Sequence, residues 1–313
     1  MLKKKAIRKM IITTSSFFIL LMIYLIPSTP NETSKPTSLE VEYISGLGEN
    51  NIYLLNENNF LVKNAIILSG SSPKNKVKSI IEELTNCDCN FLPDGLYSTI
   101  PKDTKIKDIN IDNNHVTIDF SKEFLNQSNY LVDKMIESIV YSILDLDEFD
   151  IVSLSVEGVS LTKINNIEID NDLTKDLGIN KTYEIRNREN IDKITIYYID
   201  QIQSREYYVP VTKYMNLSKE KVEVIIESLA NEYIYEKNLI SRVNQNTKLL
   251  NYSIEGYSMI LDFSNDILNK DGKLDDDVLN SICYSVFDNY DIHEIIFQVE
   301  GKEISKKVLK DID

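Results

Sequence analysis

The chain reads as an α+β protein built from two repeated small domains, each a mostly antiparallel sheet with two helices, behind an N-terminal membrane helix. Three observations carry this reading: the second half repeats the first, strand and helix periodicities alternate within each half, and an apolar run flanked by cations opens the chain. Lys74-Asn75-Lys76-Val77-Lys78-Ser79-Ile80-Ile81-Glu82-Glu83-Leu84 returns as Lys219-Glu220-Lys221-Val222-Glu223-Val224-Ile225-Ile226-Glu227-Ser228-Leu229. Asp119-Phe120-Ser121 recurs as Asp262-Phe263-Ser264, Tyr141-Ser142-Ile143 as Tyr284-Ser285-Val286, and Val156-Glu157-Gly158 as Val299-Glu300-Gly301. A repeat of about 144 residues is far longer than the roughly 20 to 50 of a solenoid unit, so whole domains are duplicated.

In the first copy, Ile52 to Leu55 and Phe60 to Leu68 are apolar, β-branched runs separated by Asn56-Glu57-Asn58-Asn59, which fits a hairpin. A helix follows, with Ser72 as its cap, Pro73 at its first position, and Val77, Ile80, Ile81 and Leu84 spaced along one face. Lys105 to Ile111 and His115 to Phe120 form a second hairpin turned by Asp112-Asn113-Asn114, with Val116, Ile118 and Phe120 alternating inward. A second helix over about Leu131 to Asp145 carries Val132, Ile136, Ile139, Val140 and Ile143 on one stripe, and the strand Ile151 to Val156 closes the unit. In the second copy the strands fall near Ile194 to Ile199, Tyr207 to Thr212, Thr247 to Ser253, Tyr257 to Phe263 and Glu294 to Val299, and the helices near Lys219 to Ala230 and Asp275 to Phe287. This order predicts one small sheet per copy with both helices on one face, and halves that fold independently.

The domain plan is a basic stretch and signal anchor over 1–30, a Pro, Ser and Thr-rich spacer over 31–48, domain one over 49–163, an Asn and Asp-rich linker over 164–190, and domain two over 191–313. Lys3, Lys4, Lys5, Arg8 and Lys9 precede the apolar run Met10 to Ile26, which at 1.5 Å per residue is near the lower limit for crossing a hydrocarbon core of about 30 Å. A cleaved signal peptide and a retained anchor both fit. The retained anchor is favoured, because Pro27-Ser28-Thr29-Pro30-Asn31 offers no small-x-small cleavage site and no nearby cysteine for lipidation. The cations stay in the cytoplasm, so the expected location is the cell membrane, single-pass, with the bulk of the chain outside. The chain carries a net charge of −15, and all of that excess lies beyond the basic start. Such a surface repels phosphate backbones, which argues against nucleic acid as a partner.

Few groups suggest chemistry. His115 and His293 sit at non-equivalent places, neither with a Cys, Ser or carboxylate spaced for a triad or metal site. Cys87-Asp88-Cys89 leaves three readings open: an adjacent disulfide, half of a soft-metal site, or free loop thiols. Cys283 falls on the buried stripe of the last helix. Asp119 and Asp262, after an alternating strand, either face away from the core or cap the segment that follows. The acidic run Asp271 to Asp277 lacks the EF-hand loop's final glutamate and reads as a solvated helix start. Tyr197, Tyr198, Tyr207 and Tyr208 cluster on the first hairpin of copy two, where they either serve an interface or pair across strands. No catalytic, cofactor-binding or metal-binding residue is assigned.

The Ile-Ile-Glu-x-Leu helix, the lead-in Pro101-Lys102-Asp103-Thr104-Lys105, the Asp-Phe-Ser strand end and the following helix with Tyr-Ser together resemble the GerMN domain. Two such domains behind a membrane signal are similar to the GerM-like sporulation and spore germination proteins. The resemblance covers about residues 50 to 163 and 191 to 307, and it implies domains like the ring-building motifs of secretion-type rings. It further implies a non-catalytic role in endospore formation, as a scaffold supporting a trans-envelope complex between mother cell and forespore. The implied partners are other envelope proteins of that complex, with self-association as a further mode and no cofactor. Well-known members are lipoproteins, whereas here the helix itself would be the attachment, and Asn244 stands where copy one has Pro101. The competing reading is a cell-wall or small-ligand binding module that regulates an envelope enzyme. An envelope hydrolase is disfavoured by the missing constellation.

Overall fold

Local sequence sets each element before packing does. In a computed structural model that describes residues 50–85, 92–231 and 238–308, Ser72 caps helix α1 (Pro73–Leu84) by accepting from the Asn75 amide, and Pro73 occupies the first turn. The anchor and spacer expected over the first 48 residues and the Cys87-Asp88-Cys89 loop lie outside the described residues. Among those that are described, no helix is long and apolar enough to cross a membrane.

Copy one begins with the hairpin β1 (Asn51–Asn56) and β2 (Leu61–Ala65), with the two-residue β3 (Leu96–Tyr97) on the other edge of β1. A separate sheet holds β4 (Ile106–Asp112), β5 (His115–Phe120), β6 (Ile151–Val156) and β7 (Val159–Ser160) in that order. Helix α2 (Asn129–Ile143) connects β5 to β6, and that crossover makes them parallel, as a helical connection requires. Pairing is mostly antiparallel as expected, but the single sheet per copy is corrected to two, with β5 and β6 parallel in the second.

Glu157 and Gly158 both take positive φ and turn β6 into β7, the combination a tight two-residue hairpin demands. Short strands β8 (Lys163–Ile164) and β9 (Ile167–Glu168) then form a small hairpin of their own.

The connecting residues 164–190 are woven into both copies. Leu173 pairs antiparallel with Val152, Thr174 caps a short 3-10 turn at Lys175–Leu177, and β10 (Thr182–Glu184) adds in parallel to the sheet of copy two. Gly178 has φ +73, which strains any residue with a Cβ, and a Cβ there would also crowd the Tyr214 hydroxyl at 2.8 Å.

Copy two repeats the plan with longer strands. Its first sheet runs β10, β12 (Arg205–Asn216), β11 (Ile191–Ile202), β13 (Leu239–Ile240); its second runs β14 (Leu249–Glu255), β15 (Ser258–Phe263), β16 (Glu294–Val299), β17 (Lys302–Val308). β15 and β16 are parallel across helix α4 (Asp276–Asn289), and α3 (Lys221–Leu229) matches α1. The closing strand β17 was absent from the sequence expectation. Lysines at 302, 306 and 307 hide its alternation.

Ile80, Ile225, Phe120 and Phe263 are all fully buried, as the two helix and strand registers require. The core does not stop at the boundary between copies. Ile52 and Leu54 of copy one belong to the same buried cluster as Ile194, Ile196 and Val209 of copy two, and both copies fall within one compact unit. The two halves therefore share a core to which each contributes a buried strand, a feature that independent folding of the halves does not anticipate.

Candidate functional site

β1 is buried along its whole length, and β11 is buried without a break from Ile194 to Asp200. A strand inside on successive positions has both faces covered. Each has its own copy's helix against it, α2 on β1 and α4 on β11, and the hairpins of the two copies meet along β2 and β12.

The contacts across this seam obey a near-twofold relation, with equivalent residues touching each other. Tyr53 and Tyr197 bring their hydroxyls to 3.5 Å, and Asn56 donates to the Asp200 carboxylate at 2.6 Å. Within each copy the same device holds the tyrosine in place: the Tyr53 amide donates to Ser142 Oγ and the Tyr197 amide to Ser285 Oγ, both at 2.9 Å. Burial first, and the Asp145 or Asp288 carboxylate next, push the Tyr53 and Tyr197 phenols well above the usual tyrosine range, so both remain neutral donors.

Asn180, from the connection, closes the seam. Its carboxamide accepts from the Leu61 amide at 2.9 Å and donates to the Leu61 and Pro210 carbonyls at 2.8 Å each, binding β2 to β12 where no ladder exists. Its own amide donates to Glu137, a carboxylate only 2 % exposed that also pairs with Lys181 at 3.0 Å and Lys134 at 3.7 Å. Tyr53, Leu55, Leu61 and Tyr141 pack around Ile179 beside it. These are side chains that sequence reasoning missed, since the Asn and Asp-rich composition of the segment reads as solvated.

Of the two roles left open for the hairpin tyrosines, an interface or packing across strands, their burial fits the second. Tyr197, Tyr198 and Tyr207 are buried, with exposures of 3 %, 1 % and 9 %, and so cannot meet an outside partner. Tyr197 and Tyr208 pack on the Tyr284 ring, and Lys213 sits over Tyr198 at 5.5 Å. Tyr208 alone is partly exposed, with its hydroxyl donating to Asp277 at 3.3 Å.

The duplicated aspartates are structural. Asp119 Oδ1 accepts from the Gly158 amide and Asp262 Oδ1 from the Gly301 amide, both at 2.9 Å, so each fixes the Glu-Gly turn rather than capping the segment after its own strand. His115 meets the Ser153 hydroxyl at 2.8 Å, and His293 stacks on Tyr257. Cys283 is buried, and burial raises its thiol well above the ordinary value. Among the described residues, no three His, Cys, Asp or Glu side chains gather in a way that would hold a metal.

An open cleft of about 300 Å³ lies at one end of the seam, lined by Asn58 of copy one and by Asp200, Gln201, Asn238 and Ile240 of copy two. Asp200 Oδ2 takes both the Asn56 and Asn58 donors.

A tandem α+β protein whose duplicated domains are fused through a buried seam is the class that this fold defines. The family described as Germane, sporulation and spore germination, matches residues 51–162 and 195–305. The chain belongs to that family, and the two matched stretches fall on the two copies. It is 26 % identical over 283 residues to the spore germination protein GerM of Bacillus subtilis (strain 168), covering 87 % of this chain and 76 % of that protein. Its fold is similar to the solved tandem GerMN domains of the sporulation protein GerM from Bacillus subtilis, with a TM-score of 0.73 and 26 % identity over 81 % of this chain and 91 % of that one.

Proposed function

We propose that this protein is a non-catalytic, extracytoplasmic assembly factor of endospore formation and germination, held at the membrane by its N-terminal segment and supporting a trans-envelope complex. The observation that carries the reading is the seam. It turns two domains into a single body, as suits a spacer or clamp that positions other envelope proteins, while the tyrosines and carboxylates with strong local environments are consumed in holding that body together. Family membership supports the sporulation context.

The test is deletion of the gene in the source organism, with complementation. The deletion strain should grow normally but fail in sporulation after engulfment, and a chain truncated after copy one should behave like the deletion. A growth defect, or hydrolysis of wall fragments by the purified protein, would overturn the reading. The cleft at Asn58 and Asp200 favours a second reading, a small-ligand or wall-binding module, because its lining brings carboxamides of both copies, Asn58 with Gln201 and Asn238, to one opening. Loss of sporulation on filling that cleft with Asn58→Trp, in a chain that still melts like wild type, would favour this second reading.

A further inference from the structure

The first hairpin of copy two outruns its counterpart. Asn51 opposes Ala65 at the open end of the hairpin in copy one, and the equivalent pair in copy two is Thr195 with Thr212. There β11 and β12 continue, from Ile194 opposite Lys213 to Ile191 opposite Asn216, an extension of roughly 13 Å at the rise of a strand. β10 pairs with this extension alone, at Lys213 to Met215. Among the described residues copy one has no such three-stranded tip, so the duplicated core does not require it.

The tip ends in a fixed loop. Asn216 accepts from the Arg186 amide at 2.7 Å and donates to the Asn187 carbonyl at 3.1 Å, and the Leu217 amide donates to the Asn190 carbonyl at 2.9 Å. Apolar side chains nevertheless stand in solvent: Tyr183, stacked on Tyr214, is 68 % exposed, Ile185 43 % and Ile191 45 %. Arg186 and Arg188 are exposed between them, and neither guanidinium has a carboxylate partner among the described residues. The flanking carboxylates are already matched, Glu184 by Lys213 at 3.4 Å, Asp192 by Lys221 at 3.0 Å and Asp176 by Lys193 at 2.6 Å. Glu189 opposes the two arginines within the loop, while Glu220 and Glu223 beyond it lie beside Tyr252 and Tyr290.

We propose that this tip docks on an anionic lipid bilayer, with the two arginines on headgroup phosphates and Tyr183, Ile185 and Ile191 in the interfacial layer. Charge favours that occupant, since in a chain of net charge −15 the tip leaves cations unmatched and sets apolar side chains beside them. Shape favours it too. Residues 185–192 are exposed without a break, a convex surface that a deformable interface can take up. The path of the chain agrees. Tyr53 meets Tyr197 and Asn56 meets Asp200, so β1 and β11 run side by side in one direction, and the N-terminal segment joins β1 at the end from which the tip projects. The proposal rests on the reading that this segment holds the chain at a membrane, because contacts so few act through the effective concentration that a tether provides.

The chain contains no tryptophan, so Ile185→Trp gives a single reporter in the full chain. In vesicles containing phosphatidylglycerol it should be quenched by lipids brominated in the upper acyl chain, and adding Arg186→Glu with Arg188→Glu should abolish that quenching. Tyr97→Trp, 53 % exposed at the turn end of the first hairpin, should stay unquenched. All of these side chains are exposed, so the variants should melt like wild type by circular dichroism. An Ile185→Trp chain that floats with the vesicles yet stays unquenched overturns the proposal and leaves the membrane-held assembly reading standing, whereas a chain that does not float at all removes both. Quenching that persists in pure phosphatidylcholine vesicles, or after the charge reversal, also overturns it. So does an emission shift with soluble poly(glycerol phosphate) and none with vesicles, which would assign the tip to an anionic wall polymer.

Discussion

Asn56 and Asp200 are the same position in the two copies, and they face each other across the seam with the carboxamide donating to the carboxylate at 2.6 Å. The strand pairings fix the equivalence, since Asn56 opposes Leu96 on β3 just as Asp200 opposes Leu239 on β13. An interface in which a residue touches its own counterpart is isologous, the arrangement of a twofold dimer. Here the symmetry is broken at this pair, and the break makes the contact attractive.

Replacing Asn56 with Asp should therefore be among the most damaging polar changes in the chain. The carboxylate could still accept from the Asn58 and Phe60 amides that Asn56 now caps at 3.0 and 2.8 Å. It would lose the donor and set two buried like charges in contact, at a cost of about 3 to 5 kcal/mol near neutral pH. In the folded variant the carboxyl pair would bind a proton well above the unfolded value of about 3.9, so the deficit is full at neutral pH and shrinks as pH falls through the raised value. Urea unfolding at neutral and mildly acidic pH measures it, and a deficit that does not narrow on acidification counts against this contact.

Ser138 and Ser281 should respond in opposite ways to the same change. Ser138 Oγ donates to the Tyr53 carbonyl at 2.6 Å and accepts from Thr99 at 3.0 Å, whereas the equivalent Ser281 hydroxyl is buried with no partner. Ser138→Ala should cost about 1 to 3 kcal/mol, and Ser281→Ala should be neutral or stabilising by up to about 1 kcal/mol. Thermal melts of the two variants decide the matter.

The two copies should unfold as one. A two-state transition with coincident near-UV and far-UV signals is expected for the pair. Residues 191–313 alone, stripped of the surface that covers Tyr197 and Tyr198, should lose cooperativity or aggregate. Cooperative unfolding of that fragment as a monomer would show that the seam is dispensable for folding.

Truncating Ile80, Ile225, Phe120 or Phe263 to Ala should cost about 2 to 5 kcal/mol each, since all four are fully buried. Asn180→Ala should also fall near the lower end of that range, because it leaves the Leu61 amide and the Leu61 and Pro210 carbonyls without their partner in a closed site. Chemical denaturation of the five variants checks both claims.

What the sequence disclosed depended on which signal each element carries. Ser72-Pro73 and the i, i+3, i+4 spacing of α1 are local signals, and they survive in the structure unchanged. The tyrosine hairpin left two readings open because aromatic side chains on a strand suit an exposed interface and a buried one equally. The better signal was the unbroken apolar run from Ile196 to Ile199, with no polar residue in alternation, which marks a strand covered on both faces. Ile52 to Leu55 in β1 carries the same mark. Asn180 could not be found by pattern at all. Its role comes from three backbone groups that only the folded chain brings together.

Two similar stretches within one gene invite exchange that would make them identical. The seam opposes this. Copying the second half over the first would place two carboxylates where Asn56 and Asp200 now meet. Each half is thus part of the selective environment of the other, and divergence between them is something the protein must keep.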